Sequence, residues 1–229
     1  MLIYESPKTI QKARENVKKR FLKFFKKGFR EQKFHDWERD YKWDAHKLWV
    51  EKLNQEEFDR LLNQHAFMEI AKRATAIESK TNLLFSFEKM ALRDAVKSLE
   101  GAEIFAFGLY DRIYGESSDE KKFENFTRVL AALPRKQTRV VNWPMQTVFP
   151  FIANPKKDMF LKPVITKKAT EKYLFNFNYQ SKPNWNTYKR YLDFGKQIKS
   201  DIKDLKPRDM IDIQSYIWVM GDDRYETYG

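Results

Sequence analysis

Two carboxylates three residues apart, Asp209 and Asp212, stand at the head of an apolar run, Met210 to Met220. On a helix such a pair can share one face. There it could hold Mg²⁺ beside a phosphate, the arrangement a divalent-metal nuclease needs. Asp209 also fits a simpler role, accepting the first unpaired N–H groups of the helix as its N-cap. Gly221-Asp222-Asp223 is similar to a polymerase turn but has no flanking hairpin. Asp158 and Lys162 share residue types with a carboxylate-plus-lysine nuclease core but not its spacing. The histidines are His35, His46 and His65. His65 with Glu69 four residues on is a possible two-ligand start for a metal site. Its place on an apolar helix face favours a hydrogen-bonded core histidine instead, and His35 and His46 sit in a charge-rich stretch expected to face water. No catalytic residue is assigned, and neither a metal nor a cofactor is expected.

The common phosphate-cradling, dinucleotide, nucleophile-elbow and zinc-protease motifs are absent. With 7 Gly and 0 Cys, a dinucleotide loop, thiolate chemistry, a disulfide framework and a cysteine-ligated zinc site all drop out. A non-enzyme is therefore favoured.

Phosphate binding is the chemistry the composition supports. Lys plus Arg total 44 against 32 Asp plus Glu, a net charge of +12. Such a field attracts polyanions: nucleic acid, anionic lipid or an acidic protein surface. The excess is concentrated. Residues 8–30 carry ten Lys/Arg against the single acid Glu15, and residues 155–190 carry nine against Asp158 and Glu171. The candidate phosphate contacts are Lys18, Lys19, Lys23, Lys26, Lys27 and Arg30 in the first window. Arg135, Lys136 and Arg139 follow a proline turn. Lys156, Lys157, Lys162, Lys167 and Lys168 surround an expected strand-to-helix junction. Exposed Tyr or Trp rings beside them could stack on unpaired bases, although most aromatics are expected in the core. The reading is a nucleic-acid-binding protein (DNA or RNA) that contacts phosphates with little sequence specificity. Two alternatives stay open: an adaptor or regulatory subunit docking on an acidic protein partner, and a metal-dependent nuclease built on Asp209 and Asp212.

These groups need elements to hold them. Ser6-Pro7 starts a basic amphipathic helix with Ile10, Ala13, Val17, Phe21 and Phe24 on one face and Gly28 closing it. That helix is read as core-packed with a solvated basic face, as nucleic-acid-contacting, or as membrane-surface. Further helices are expected over 32–54 (one helix or two short ones), from the capping box Asn54 to Glu57 onward through Met68, over 82–99, over 102–114 and from Ser118 or Asp119 to Leu133. Trp143-Pro144 and Phe149-Pro150 read as helix breakers. Strands are expected at Thr138–Val141, Met159–Ile165 and Phe175–Tyr179. Thr166 is read as the cap of a helix over 167–174. A long helix follows Asn184 or Asn186, and an apolar one runs from Met210 to Met220 and is ended by Gly221, with an exposed tail over 221–229. The expected fold class is α+β: a helical half to residue 133, then a small sheet with helices. A chain of 229 residues buries roughly 70% of its unfolded surface, enough for one compact domain, with two lobes (1–133 and 134–229) as the other possibility.

Over roughly the C-terminal half, Leu133-Pro-Arg-Lys-Gln-Thr-Arg-Val, Trp143-Pro-Met, Phe149-Pro-Phe-Ile-Ala, Met159-Phe-Leu-Lys-Pro and Arg208 through Trp218 resemble an uncharacterised group of bacterial proteins. The resemblance implies a bacterial or mobile-element origin and carries no activity, cofactor or catalytic residue. The longest apolar stretches fall far short of the ~20 residues a membrane span needs, and the N-terminus lacks a secretory pattern, so a cytoplasmic protein is expected.

Overall fold

Ser6 and Pro7 begin the first helix as their types dictate. The computed structural model describes residues 6–134 and 140–227. In α1 (Pro7–Phe24) the Ser6 Oγ accepts the Thr9 N–H at 3.2 Å. Proline fits the first turn because that N–H has no helical partner. Val17, Phe21 and Phe24 are buried. Gly28 then turns the chain at φ +60°, a left-handed conformation that a Cβ disfavours.

α2 (Gln32–Phe34), a π-bulged stretch (His35–Arg39) and α3 (Asp40–Lys52) follow without a break. Next come α4 (Gln55–Asn63), α5 (Phe67–Ser79), α6 (Ser86–Ala95), α7 (Leu99–Tyr114) and α8 (Asp119–Ala132). The last five are α9 (Trp143–Ala153), α10 (Pro163–Lys172), α11 (Trp185–Asp201), α12 (Met210–Gly221) and α13 (Arg224–Thr227). Two of these helices are buried nearly all round. α9 packs against α3, α5, α7 and α8, while α12 packs against α1, α10, α11 and the π-bulged stretch. Chemistry-bearing side chains that face α12 are therefore taken out of water.

The expected α+β class is overturned: the protein is a helical bundle, 74% helix, with no strand among the described residues. Thr138 lies outside the described residues, and Val140 and Val141 have no regular structure. Met159–Leu161 are extended and buried but pair with no neighbouring strand. Side chains satisfy their backbone instead. The Met159 N–H reaches the Tyr188 hydroxyl at 3.1 Å, the Leu161 N–H reaches Thr147 Oγ1 at 3.0 Å, and Tyr191 donates to the Phe160 carbonyl at 2.9 Å. A strand-like sequence can stay single when such donors and acceptors replace the ladder. Pro163 then opens α10 at its first position, earlier than the cap expected at Thr166. Phe175–Tyr179 likewise forms no strand: it has no regular structure, and Asn178 sits in the left-handed region at φ 47°.

Three helix readings are also corrected. Trp143-Pro144 does not break a helix: Asn142 caps α9, accepting the Met145 N–H at 2.9 Å, with Pro144 in the first turn. Pro150 lies in the last turn, where the loss of one N–H is small beside a helix buried from Trp143 to Ile152. The expected helix over 82–99 is two elements, α6 and the start of α7. Gly101 lies inside α7, with its N–H bonded to the Ser98 cap. His65 is no core residue: it is exposed at φ 54° in the turn that ends α4.

Candidate functional site

α1 divides its cations by direction. At about 100° per residue, Lys8, Lys12, Lys19 and Lys23 fall within an arc of roughly 60°, opposite the buried Val17. All four are exposed and have no side-chain partner among the described residues. Lys26, Lys27 and Arg30 extend the row past the helix end, also exposed. Cations at the sides of α1 are engaged. Arg14 binds Asp201 at 3.0 Å and lies over the Tyr173 ring, Lys18 binds Asp204 at 2.6 Å, and Arg20 reaches the Asp222 carbonyl at 3.4 Å. Lys18 is thus removed from the phosphate candidates, while Lys19, Lys23, Lys26, Lys27 and Arg30 remain available.

The second basic window is mostly spent on local contacts. Lys157 binds Asp119 at 2.6 Å, Lys168 binds Asp223, and Lys167 sits over the Tyr179 ring. Lys162 is buried, donating to Glu88 and to the Leu83 carbonyl, each at 3.2 Å. Burial pulls its ammonium below the ordinary lysine range against the opposing pull of Glu88. Lys156 stays exposed, and Arg135, Lys136 and Arg139 lie outside the described residues. α10 does pack beside α1, but the lysines expected to merge with the first window are largely occupied.

Asp209 and Asp212 meet as expected, around an arginine. Arg39 donates to Asp209 at 2.7 and 2.9 Å and to Asp212 at 2.7 Å. Asp209 also caps α12, accepting the Ile211 and Asp212 N–H groups, and Asp212 takes Arg208 at 2.9 Å. Burial raises the Asp209 carboxyl, but the hydrogen bonds and charge of Arg39 outweigh it and leave it below the usual carboxylate range. A pair whose oxygens are filled this way serves as a structural clamp, and the nuclease reading loses its ligands. His35 meets Asp40 and His46 meets the Ile152 carbonyl, while Glu69 binds Arg73, not His65. Among the described residues no group of three or more His, Asp or Glu could hold a metal ion.

Beside that clamp lies a cavity of about 500 Å³ that the sequence reading missed. The π-bulged stretch supplies Trp37 and Glu38, and α3 supplies Tyr41 and Lys42. Asn82 and Phe85 come from the loop before α6, and Gln214 and Trp218 from α12. Tyr225 closes the far side. It is buried, as are Gly221 and Asp222, which corrects the expected exposed tail at those positions, while Asp223 and Arg224 are exposed. The Tyr225 hydroxyl donates to Glu38 Oε1 at 2.5 Å. Lys42 is 3% exposed, and its ammonium donates to Ser215 Oγ at 2.8 Å and to Glu38 Oε2 at 3.3 Å. Burial draws Lys42 below the ordinary lysine range, with Glu38 opposing. Gln214 is 2% exposed and its Oε1 has no hydrogen-bond partner. At the mouth, Trp37 is 49% and Phe85 55% exposed. Lys33 lies 4.5 Å over the Trp37 ring and Lys162 3.4 Å over that of Phe85.

No protein-family model, curated protein or solved structure matches the chain. The site is therefore read from its own chemistry. One sequence signal for the cavity was present: Gln214 and Ser215 interrupt the run of α12 that is apolar beyond Asp212, and polar groups there must face partners or a ligand. Lys42 gave no such signal inside its dense run of charges.

Proposed function

We propose that the protein binds nucleic acid through its phosphate backbone, with the outer face of α1 as the contact surface. The observation that carries this reading is the row Lys8, Lys12, Lys19 and Lys23, four unpartnered ammonium groups on one side of an 18-residue helix. Residues four apart rise ~6 Å along a helix axis, so the row offers a series of cations to a line of phosphates. The same helix has already buried its apolar face, Val17, Phe21 and Phe24, in the bundle. That leaves electrostatics without an apolar wedge, which disfavours insertion into a lipid surface. Among the described residues no helix is long and apolar enough to cross a membrane. Contacts made by flexible lysines to phosphates read charge and not sequence. The test is a titration with duplex and single-stranded DNA and RNA at 50 and 200 mM salt. Salt-sensitive binding to at least one of them is expected; binding to none of them removes the reading.

A further inference from the structure

We infer that the cavity between the π-bulged stretch, α12 and α13 receives a planar heteroaromatic ring with hydrogen-bonding edges, a nucleobase, carried either by a free mononucleotide or by an unpaired residue of a strand. Its walls are aromatic and its floor is polar, the combination that stacks on a flat ring and reads its edge. The Gln214 carboxamide is buried in the wall with its acceptor unsatisfied, and a buried polar atom left so is destabilising until a donor meets it. An exocyclic amine or ring N–H supplies that donor. Lys42 uses its ammonium on Ser215 and, at a longer 3.3 Å, on Glu38. An ammonium has three N–H donors, so a further one is available for a carbonyl or ring nitrogen at the cavity floor. Trp37 and Phe85 are large rings half exposed at the mouth, where an apolar side chain otherwise loses by facing water. Phe85 already stacks on Phe87 at 5.6 Å and carries the Lys162 ammonium, so the base stacks on the face of Trp37 away from Lys33. The cavity, at about 500 Å³, has room for a base with its sugar.

For the strand source this inference rests on the phosphate-binding reading; for the mononucleotide source it stands without it. The experiment has two arms on the full chain. In the first, AMP, GMP, CMP and UMP are titrated by calorimetry and ligand-observed NMR. In the second, single-stranded oligonucleotides are compared with copies that contain abasic residues, at one salt concentration. The variants are Trp37→Ala, at an exposed position, and Gln214→Leu, which keeps volume and removes the unsatisfied group. Either is expected to fold, which circular dichroism checks. Saturable binding of at least one mononucleotide, weakened about tenfold by each variant, assigns the free source. A similar loss on abasic substitution, abolished in Trp37→Ala, assigns the strand source. The inference is overturned if no mononucleotide binds and abasic and intact strands bind alike, or if binding is indifferent to both variants. In the first of those cases, oligonucleotide binding that still falls with salt leaves the α1 reading standing, so the two fail separately.

Discussion

Removing two lysines from the α1 row changes a slope, and the slope can be worked out beforehand. If Lys8, Lys12, Lys19 and Lys23 each neutralise one phosphate of a duplex, log K falls with log[salt] at about −3.6, from ~0.9 per contact. Raising salt fourfold, from 50 to 200 mM, then weakens binding about 150-fold. In Lys19→Gln/Lys23→Gln two of those four contacts remain, their slope is about −1.8, and the same salt step costs only about 12-fold. Any contacts from Lys26, Lys27 and Arg30 steepen both slopes alike and leave the difference of about 1.8 unchanged. Glutamine has nearly the helix propensity of lysine and both positions are exposed, so α1 and the bundle stay intact. The assay is fluorescence anisotropy of a labelled duplex at five salt concentrations. A control variant, Lys18→Gln, removes a lysine already bound to Asp204 and is expected to leave the slope unchanged. The reasoning is refuted if the double variant keeps the parent slope, or if Lys18→Gln shifts it as much as the double variant does.

Arg39→Met withdraws the shared partner of two buried carboxylates. Asp212 keeps Arg208 while Asp209 keeps only its cap bonds, so one charge and not two is left uncompensated. The expected loss is about 3 kcal/mol, or ~6–12 °C in Tm by calorimetry. The pH dependence follows in sign. Because the Asp209 carboxyl is held below its unfolded value, its stabilisation is complete above about pH 4 and fades as acid protonates the folded state. Arg39→Met therefore starts acid unfolding at a higher pH, which melts from pH 7 to pH 3 would read. Gly221→Ala normally gains about 1 kcal/mol in a helix. Here the added Cβ would stand 2.2 Å from the Ile165 carbonyl oxygen, so urea unfolding is expected to report a net loss of about 1–3 kcal/mol. Tyr188→Phe strands the Met159 N–H and removes a donor to Asp158, a cost of about 1–3 kcal/mol by the same measurement.

What the sequence made legible was local, and what it hid was tertiary. Ser6-Pro7, Asn54, Ser118, Asn184 and Asp209 mark helix starts because capping involves only the next three residues. Of the α1 lysine row only Lys19 and Lys23 were among the expected phosphate contacts; Lys8 and Lys12 were missed, although a helical period places all four together whatever the rest of the chain does. Met159–Leu161 went wrong because an apolar extended run fits a strand and a buried connection equally. The choice fell to Tyr188, Tyr191 and Thr147, 14 to 31 residues away. The lysines of residues 155–190 were counted as surface charge because nothing nearby announces that Glu88 holds Lys162 or that Asp119 holds Lys157. Net charge fixes the total field, but ion pairing between distant segments decides which cations remain to meet a phosphate. The cavity carries the point furthest. Between Phe34 and Asp40 the π-bulge breaks the regular helical period, so a wheel drawn through residues 32–52 does not hold one register. Glu38 and Lys42, four residues apart, both face inward beside Gln214 across α12. The two charges buried at the bulge are held by each other and by Ser215 and Tyr225, so the group at this site that still lacks a partner is the Gln214 acceptor.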